Sequence, residues 1–157
     1  MINSLIIFCA KYLYLLVVEI YAAYFFSIPK NKRKDLAILT IIALPCIYLA
    51  SRVAGILHFD PRPFVVNHFA PLIPHAPDNG FPSDHALLIS AIASVVWFYN
   101  KKVSAILWLL TLIVGIARVL AGIHHPIDII GAFVISIIVA GLAEYALNCS
   151  KIISYKK

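Results

Sequence analysis

The sequence is poor in charged residues and in cysteine, and both shortages limit what the protein can be. Only 13% of the 157 residues are charged and 62% are hydrophobic, whereas soluble domains are about a quarter charged. This composition argues against a water-soluble domain and indicates a membrane protein. The three cysteines, Cys9, Cys46 and Cys149, lie in or beside apolar runs without close spacing. They are expected to be small buried side chains rather than a disulfide or metal set.

No internal repeat, low-complexity tract or cleavable signal peptide is evident in the sequence. The first apolar run continues past Phe26 without a basic region before it or an A-x-A site, so we expect it to be retained as a membrane span. Mean hydropathy is +0.94. The length suits one compact domain, which we expect to cover residues 1–157.

Apolar runs of about 20 residues, the length that crosses a bilayer, predict five transmembrane helices. We place them at about residues 2–26, 36–57, 84–99, 103–120 and 126–147. The segment between the second and third spans, 58–82, contains six prolines, which exclude a continuous helix there. The predicted fold is therefore an all-α integral membrane protein, a bundle of about five transmembrane helices with a proline-rich segment on one face.

The net charge of +6 comes mostly from short basic clusters that follow the first, third and fifth spans. These residues are Lys30, Lys32, Arg33, Lys34, Lys101, Lys102, Lys151, Lys156 and Lys157. With an odd number of spans the clusters share one side, which the positive-inside rule makes cytoplasmic. The pattern predicts the N-terminus outside and the C-terminus inside, and it argues against a nucleic-acid partner.

Most other polar side chains gather at the opposite, outer ends of the spans. They are Arg62, Ser83, Asp84, His85, Arg118, His124, His125 and Asp128. Ionisable groups near membrane depth are costly, so a cluster of them indicates a functional site. Two guanidinium groups match the oxygens of a phosphate, and the helix start after Ser83 offers free N–H groups to an anion.

Histidine and aspartate in this cluster have the spacing of a nucleophile and its orienting group. His124 and Asp128 are four residues apart across a helix start, where a carboxylate can hold an imidazole in one tautomer. An imidazole so held could attack phosphorus while His85 gives a proton to the leaving oxygen.

Each of these residues also has a simpler interpretation. Ser83 and Asp84 could only cap a helix, Arg118 could extend to the lipid headgroups, and the pair His124-His125 could bind metal with Asp128. The combination on one face favours hydrolysis of a phosphate ester.

The residues resemble the signature of the type 2 phosphatidic acid phosphatase superfamily, written K-x6-R-P, P-S-G-H and S-R-x5-H-x3-D. The matching stretches are Arg62-Pro63, Pro82-Ser83-Asp84-His85 and Arg118-x5-His124-x3-Asp128. Flanking residues, including the stretches 60–64 and 72–75, look like the bacterial undecaprenyl-diphosphatase branch. The resemblance implies an enzyme without metal or other cofactor.

The same resemblance implies a role for each residue. His124 would be the nucleophile, Asp128 its orienter and His85 the acid. Phosphate would be held by Arg62, Ser83, Arg118 and the backbone N–H near Asp84. The implied substrate is a polyprenyl pyrophosphate, undecaprenyl pyrophosphate, hydrolysed at the outer face of a bacterial plasma membrane to the monophosphate and inorganic phosphate through a phospho-histidine.

The sequence departs from this pattern at three positions. The lysine seven residues before Arg62 is Gly55, the usual glycine is Asp84, and the serine before Arg118 is Ala117. Arg52 or Lys11 could supply the missing charge, whereas the Asp84 carboxylate should repel a phosphate unless it points away.

Two other classes of function stay open from the sequence. The substrate could be another lipid phosphate, such as phosphatidylglycerol phosphate, phosphatidic acid or lipid A. The protein could also be a membrane transporter or scaffold without activity, although a transporter should distribute its polar residues across the membrane. The sequence does not predict the oligomeric state.

Overall fold

The structure, a computed structural model, describes residues 1–155, with side chains described for residues 1–149. It contains six helices within this range: α1 (Ile2–Ser27), α2 (Lys30–Leu57), α3 (Pro63–Val66), α4 (Asp84–Trp97), α5 (Lys101–Leu120) and α6 (Pro126–Tyr155). In the same residues the β contacts amount to one isolated bridge, between Pro61 and Asn79. The all-α fold is therefore confirmed.

Four of these helices are long and apolar enough to cross a bilayer, namely α1, α2, α5 and the part of α6 from Pro126 to Cys149. The fifth long helix, α4, has 14 residues and so extends only about 21 Å at 1.5 Å per residue. Helix α2 begins at Lys30, six residues before the predicted apolar span, because the basic residues after Pro29 favour a helix and need not enter the hydrocarbon. Lys156 and Lys157 lie outside the described residues, and a single domain over 1–157 stays a prediction.

Helix α4 occupies the middle of the bundle and contacts α1, α2, α5 and α6. Ten of its 14 residues are buried, many of them alanine or serine, which let neighbouring backbones approach closely. Ser90 Oγ lies 2.7 Å from Ser136 Oγ on α6, and Ser104 Oγ donates to the carbonyl of Ala93 at 2.7 Å. These buried hydrogen bonds join α4 to α6 and to α5.

The outer surface of the bundle is apolar, with exposed leucine, isoleucine and phenylalanine on α1, α2, α5 and α6, as expected for helices that face lipid. The expectation that the cysteines are buried was wrong. All three are unpaired, Cys46 is exposed, and Cys9 and Cys149 are half-buried. A bilayer provides an apolar environment outside the protein, so an apolar run does not by itself locate a residue in the core.

The alternating direction of the helices brings the C-terminal ends of α2 and α5 and the N-terminal ends of α4 and α6 to one end of the bundle. The proline-rich segment covers this end, and Asn79 anchors it. The Asn79 side chain accepts hydrogen bonds from the backbone N–H of Asp60 at 2.9 Å and of Phe81 at 3.0 Å. It donates to the carbonyls of Gly55 at 2.8 Å and His58 at 3.2 Å. One amide therefore fixes this segment to the end of α2.

Candidate active site

A buried histidine–aspartate pair lies where α5 gives way to α6. His124 Nδ1 is 3.0 Å from Asp128 Oδ2, and the two residues are 2% and 0% exposed. The pair forms because α6 begins at Pro126, which suits the first turn of a helix, so that Asp128 points back toward the residues just before the helix. The same Oδ2 accepts the backbone N–H of His125 at 2.9 Å, which fixes the carboxylate.

Two buried arginines face the other nitrogen of His124. Nη1 of Arg62 and Nη2 of Arg118 each lie 3.3 Å from His124 Nε2. Guanidinium groups only donate hydrogen bonds, so Nε2 is the accepting nitrogen and Nδ1 carries the proton given to Asp128. Arg62 also donates to the Ile123 carbonyl at 2.8 Å, and Arg118 donates to the Ala10 carbonyl at 3.1 Å. Both guanidinium groups are therefore held in place beside a nitrogen with an available electron pair.

Burial sets the protonation state of His124. It lowers the pKa of the His124 imidazole, and the positive charges of Arg118 and Arg62 lower it further. The hydrogen bond and charge of Asp128 act in the opposite direction without cancelling the shift. His124 is accordingly neutral at pH 7, the form in which Nε2 is a nucleophile.

A cavity of about 430 Å³ opens over these groups. Of the residues that the sequence assigns to the site, Arg62, Asp84, His85, Arg118 and His124 line it. The His85 ring packs edge to face against Tyr14 of α1, with centroids 5.0 Å apart, so the predicted acid is held by an aromatic neighbour.

The role of Ser83 as a phosphate ligand, which the resemblance implies, stays a prediction. Ser83 is fully buried and is absent from the cavity lining. Its backbone N–H donates to the carbonyl of Asp128 at 3.2 Å, and its carbonyl accepts from Leu87. Its Oγ and the Nε of Arg118 are buried without a hydrogen-bond partner among the described residues. The hydrogen bond from the Ser83 backbone to Asp128 joins the start of α4 to the start of α6.

Asp84 and Arg52 form an ion pair on the cavity wall, with 2.5 Å between Arg52 Nη2 and Asp84 Oδ1. The Asp84 carboxylate is thus engaged by a cation. Of the two basic residues considered as replacements for the missing lysine, Arg52 lines the cavity. Lys11 is exposed on α1, with its Nζ 5.7 Å from the ring centroid of Tyr12.

Three cavity residues from the proline-rich segment were missed by sequence reasoning, namely His75, Asp78 and Asn79. Asp78 Oδ1 accepts from Arg62 Nε at 2.7 Å. Burial would raise the pKa of Asp78, but its hydrogen bond and ion pair with Arg62 outweigh burial and lower it. Burial and the Arg62 charge lower the pKa of His75, whose ring centroid is 6.3 Å from that of His124. The available signal was the number of histidines in the proline-rich segment, which are His58, His68 and His75.

A second acidic and imidazole cluster lies beside the site. Single ligand atoms of Asp60, His125 and Asp128 lie within 4.8 Å of one another. The sequence suggested a metal site of His124, His125 and Asp128, and in the structure Asp60 takes the place of His124 in such a group. His125 Nδ1 lies 3.0 Å from Asp60 Oδ2, and Asp128 Oδ2 already accepts two hydrogen bonds. Asp128 Oδ1, by contrast, is buried without a hydrogen-bond partner among the described residues.

Comparison with known sequences gives a consistent set of relatives. A family model described as the PAP2 superfamily matches residues 36–149. Undecaprenyl-diphosphatase BcrC of Bacillus subtilis is 40% identical over 87 residues, 55% of this chain and 45% of that protein. Putative undecaprenyl-diphosphatase YbjG of Escherichia coli is 32% identical over 136 residues, 86% of this chain and 68% of that protein. Bacitracin transport permease protein BcrC of Bacillus licheniformis is 29% identical, over 89% of this chain and 69% of that protein.

Two solved structures share the fold. LpxE of Aquifex aeolicus superposes with a TM-score of 0.73 at 24% identity, over 90% of this chain and 86% of that one. A transmembrane PAP2 type phosphatidylglycerolphosphate phosphatase of Bacillus subtilis gives a TM-score of 0.68 at 23% identity, over 94% and 77%. Both similarities concern the fold of the helical bundle.

Proposed function

Because this chain belongs to the PAP2 superfamily, we propose that it is a membrane-bound phosphatase that hydrolyses a lipid pyrophosphate, undecaprenyl pyrophosphate, to the monophosphate and inorganic phosphate. One observation carries the proposal. A neutral, buried His124 has Nε2 between two guanidinium groups and Nδ1 held by Asp128. This is the arrangement expected of a nucleophile that attacks an anionic phosphorus centre.

In the first step, His124 Nε2 forms a bond to the terminal phosphorus, and the bond from that phosphorus to the bridging oxygen breaks. The bridging oxygen leaves with its electron pair in the lipid monophosphate and receives a proton from His85, whose imidazolium form is stabilised by the negative charge of the bound substrate. Arg62 and Arg118 neutralise the charge on the oxygens of the transferring group, where it is spread in the transition state. Asp128 stabilises the positive charge that develops on the imidazole.

In the second step, water attacks the phospho-histidine. His85, which has lost its proton, accepts one from the water, the bond from phosphorus to His124 Nε2 breaks, and inorganic phosphate is released. The two arginines supply the positive charge at every stage, so the sequence of steps requires no metal ion. The net reaction consumes one water and leaves both histidines as they began.

The choice of substrate rests on two relatives whose names say undecaprenyl-diphosphatase. The basic clusters at residues 30–34 and 101–102 begin α2 and α5, at the ends of those helices away from the cavity. By the positive-inside rule that end is cytoplasmic, so we place the site on the extracytoplasmic face of a bacterial plasma membrane. A carrier lipid pyrophosphate released there during wall synthesis suits both inferences.

Phosphate release from a panel of lipids tests the function directly. We expect release from polyprenyl pyrophosphates in detergent micelles, less from phosphatidylglycerol phosphate, phosphatidic acid and lipid A, and equal rates with and without EDTA. Inhibition by EDTA that added zinc or magnesium reverses would establish a metal-dependent reaction. Release from none of the lipids would favour transport or scaffolding, as the permease name of one relative suggests.

The protonation state of His124 can be measured by NMR. Burial and the two arginines lower its pKa, so in a histidine-labelled sample the His124 ring should titrate below the ordinary value of about 6.5. Protonation removes the electron pair of Nε2, so activity should fall as the pH falls through this lowered pKa. The resonance is assigned by its absence from His124→Gln. A His124 midpoint at or above the ordinary value would contradict the proposed nucleophile.

A further inference from the structure

The pair formed by Arg52 and Asp84, which we call the rim pair, stands on the wall of the cavity between α2 and α4. The two side chains are 45% and 69% exposed, unlike the buried arginines beside His124. The Arg52 guanidinium also lies 5.1 Å from the ring centroid of Tyr48. The rim pair is therefore a second charged group of the cavity, held on two sides and open to a ligand.

Gly55, at the position of the missing lysine, packs closely against the segment that precedes α4. A Cβ atom added to Gly55 would lie 3.0 Å from the carbonyl oxygen of Phe81 and 3.9 Å from Pro82. No lysine side chain fits there without moving this backbone. Arg52 is three residues earlier on α2 and so lies on the same helix face. The positive charge missing at Gly55 is thus present one turn away, on a longer side chain.

The buried arginines are already engaged with the terminal phosphate site. Both lie 3.3 Å from His124 Nε2, the atom that would attack. Arg52 has Asp84 as its hydrogen-bond partner among the described residues. A guanidinium carries five N–H donors, so Arg52 can bind an anion while it keeps this contact.

An apolar groove starts at the rim pair and gives the direction of a bound lipid. It has a volume of about 370 Å³ and lies between α2 and α4, with Asp84 at its polar end. Tyr48, Ile47, Leu87 and Leu88 are among the side chains that line it. Asp84 borders both the groove and the cavity. A lipid with its tail in the groove and its terminal phosphate at His124 would therefore pass the rim pair with the atoms in between.

We propose that Arg52, positioned by Asp84, binds the lipid-linked phosphate of a diphosphate substrate and gives the enzyme its preference for lipid diphosphates over lipid monophosphates. In a diphosphate this second phosphate occupies the place between tail and terminal phosphate, and it takes up negative charge as the leaving group. In a monophosphate, the tail oxygen takes that place and offers Arg52 no anion. The inference rests on the proposed function.

The test compares farnesyl diphosphate with farnesyl monophosphate, which share one tail, on the full-length protein in detergent. The double variant Arg52→Gln/Asp84→Asn removes both charges, so no unpaired carboxylate is left to repel either substrate. We expect kcat/KM to fall about 10- to 100-fold for the diphosphate, the value of a hydrogen bond to a charged group, and less than about threefold for the monophosphate. Arg52→Lys, which keeps the charge, should keep the preference for the diphosphate.

Lys11→Gln is the matched control, because it removes one positive charge from an exposed site outside the cavity. It should alter neither rate. Equal losses for both substrates in the double variant, or no loss for either, would overturn the role of Arg52 while leaving the proposed function intact. A wild-type protein that releases phosphate from neither substrate would instead refute the proposed function, and this inference with it.

Discussion

Replacing His124 with alanine is expected to abolish phosphate release, with a loss of about 10⁵-fold or more, the scale seen when a covalent nucleophile is removed. Among the described residues, His124 is the histidine that both guanidinium groups contact, at 3.3 Å each. Without its imidazole the reaction has no nucleophile and no phospho-enzyme. The measurement is phosphate release from a polyprenyl pyrophosphate under single-turnover conditions.

The variant should stay folded, because a neutral side chain is removed and both arginines keep their contacts to the carbonyls of Ile123 and Ala10. Rapid quenching with labelled pyrophosphate should trap an acid-labile, alkali-stable phospho-histidine in the wild type and none in His124→Ala. His68→Asn is a suitable control. His68 is an exposed loop residue at φ 52°, a backbone conformation that asparagine tolerates. Equal labelling of His124→Ala and the wild type would identify a different nucleophile.

The part of the site that the sequence predicts is the part built from local chain geometry. His124 and Asp128 are four residues apart, and Pro126 begins α6 between them, so a helix start is enough to bring the imidazole and carboxylate together. The predicted membrane helices follow from equally local patterns, since each apolar run satisfies its own backbone in a bilayer. Helix α4 is the exception, because it is too short to span a bilayer by itself and is surrounded by the other helices of the bundle.

What the sequence could not predict depends on residues far apart along the chain. Arg52 and Asp84 are 32 positions apart. In the sequence, the missing lysine at Gly55 and the carboxylate at Asp84 look like two unrelated departures from the family motif. The packing of Phe81 on Gly55 and the contact of α2 with α4 join them into one compensating change. Asp78 likewise meets Arg62 only because the proline-rich segment folds back over the cavity. Spacing carries no information about such contacts.

Asp128→Asn is expected to reduce kcat by about 10³- to 10⁴-fold with little change in KM, the effect of removing the charge that orients a catalytic histidine. Asp128 Oδ2 accepts from His124 Nδ1 and from the backbone N–H of His125. If the new amide presents its oxygen there, the geometry is kept but the charge that stabilises the imidazolium is lost. If it presents its NH₂ group, Nδ1 must accept, and the proton moves to Nε2, where it faces two guanidinium donors. Either orientation disables the nucleophile.

¹⁵N NMR of the imidazole reports which ring nitrogen carries the proton. It therefore distinguishes a folded variant with an altered His124 from a variant that has simply unfolded. The wild type should show His124 protonated at Nδ1, whereas Asp128→Asn should lose or weaken that state. Asp60→Asn is the matched control, because Asp60 holds His125 at the same distance of 3.0 Å outside the cavity. It should keep kcat within about threefold. An Asp128→Asn protein that keeps most of its kcat would show that the His124 tautomer is set by the arginines alone, since their N–H groups already require an accepting Nε2.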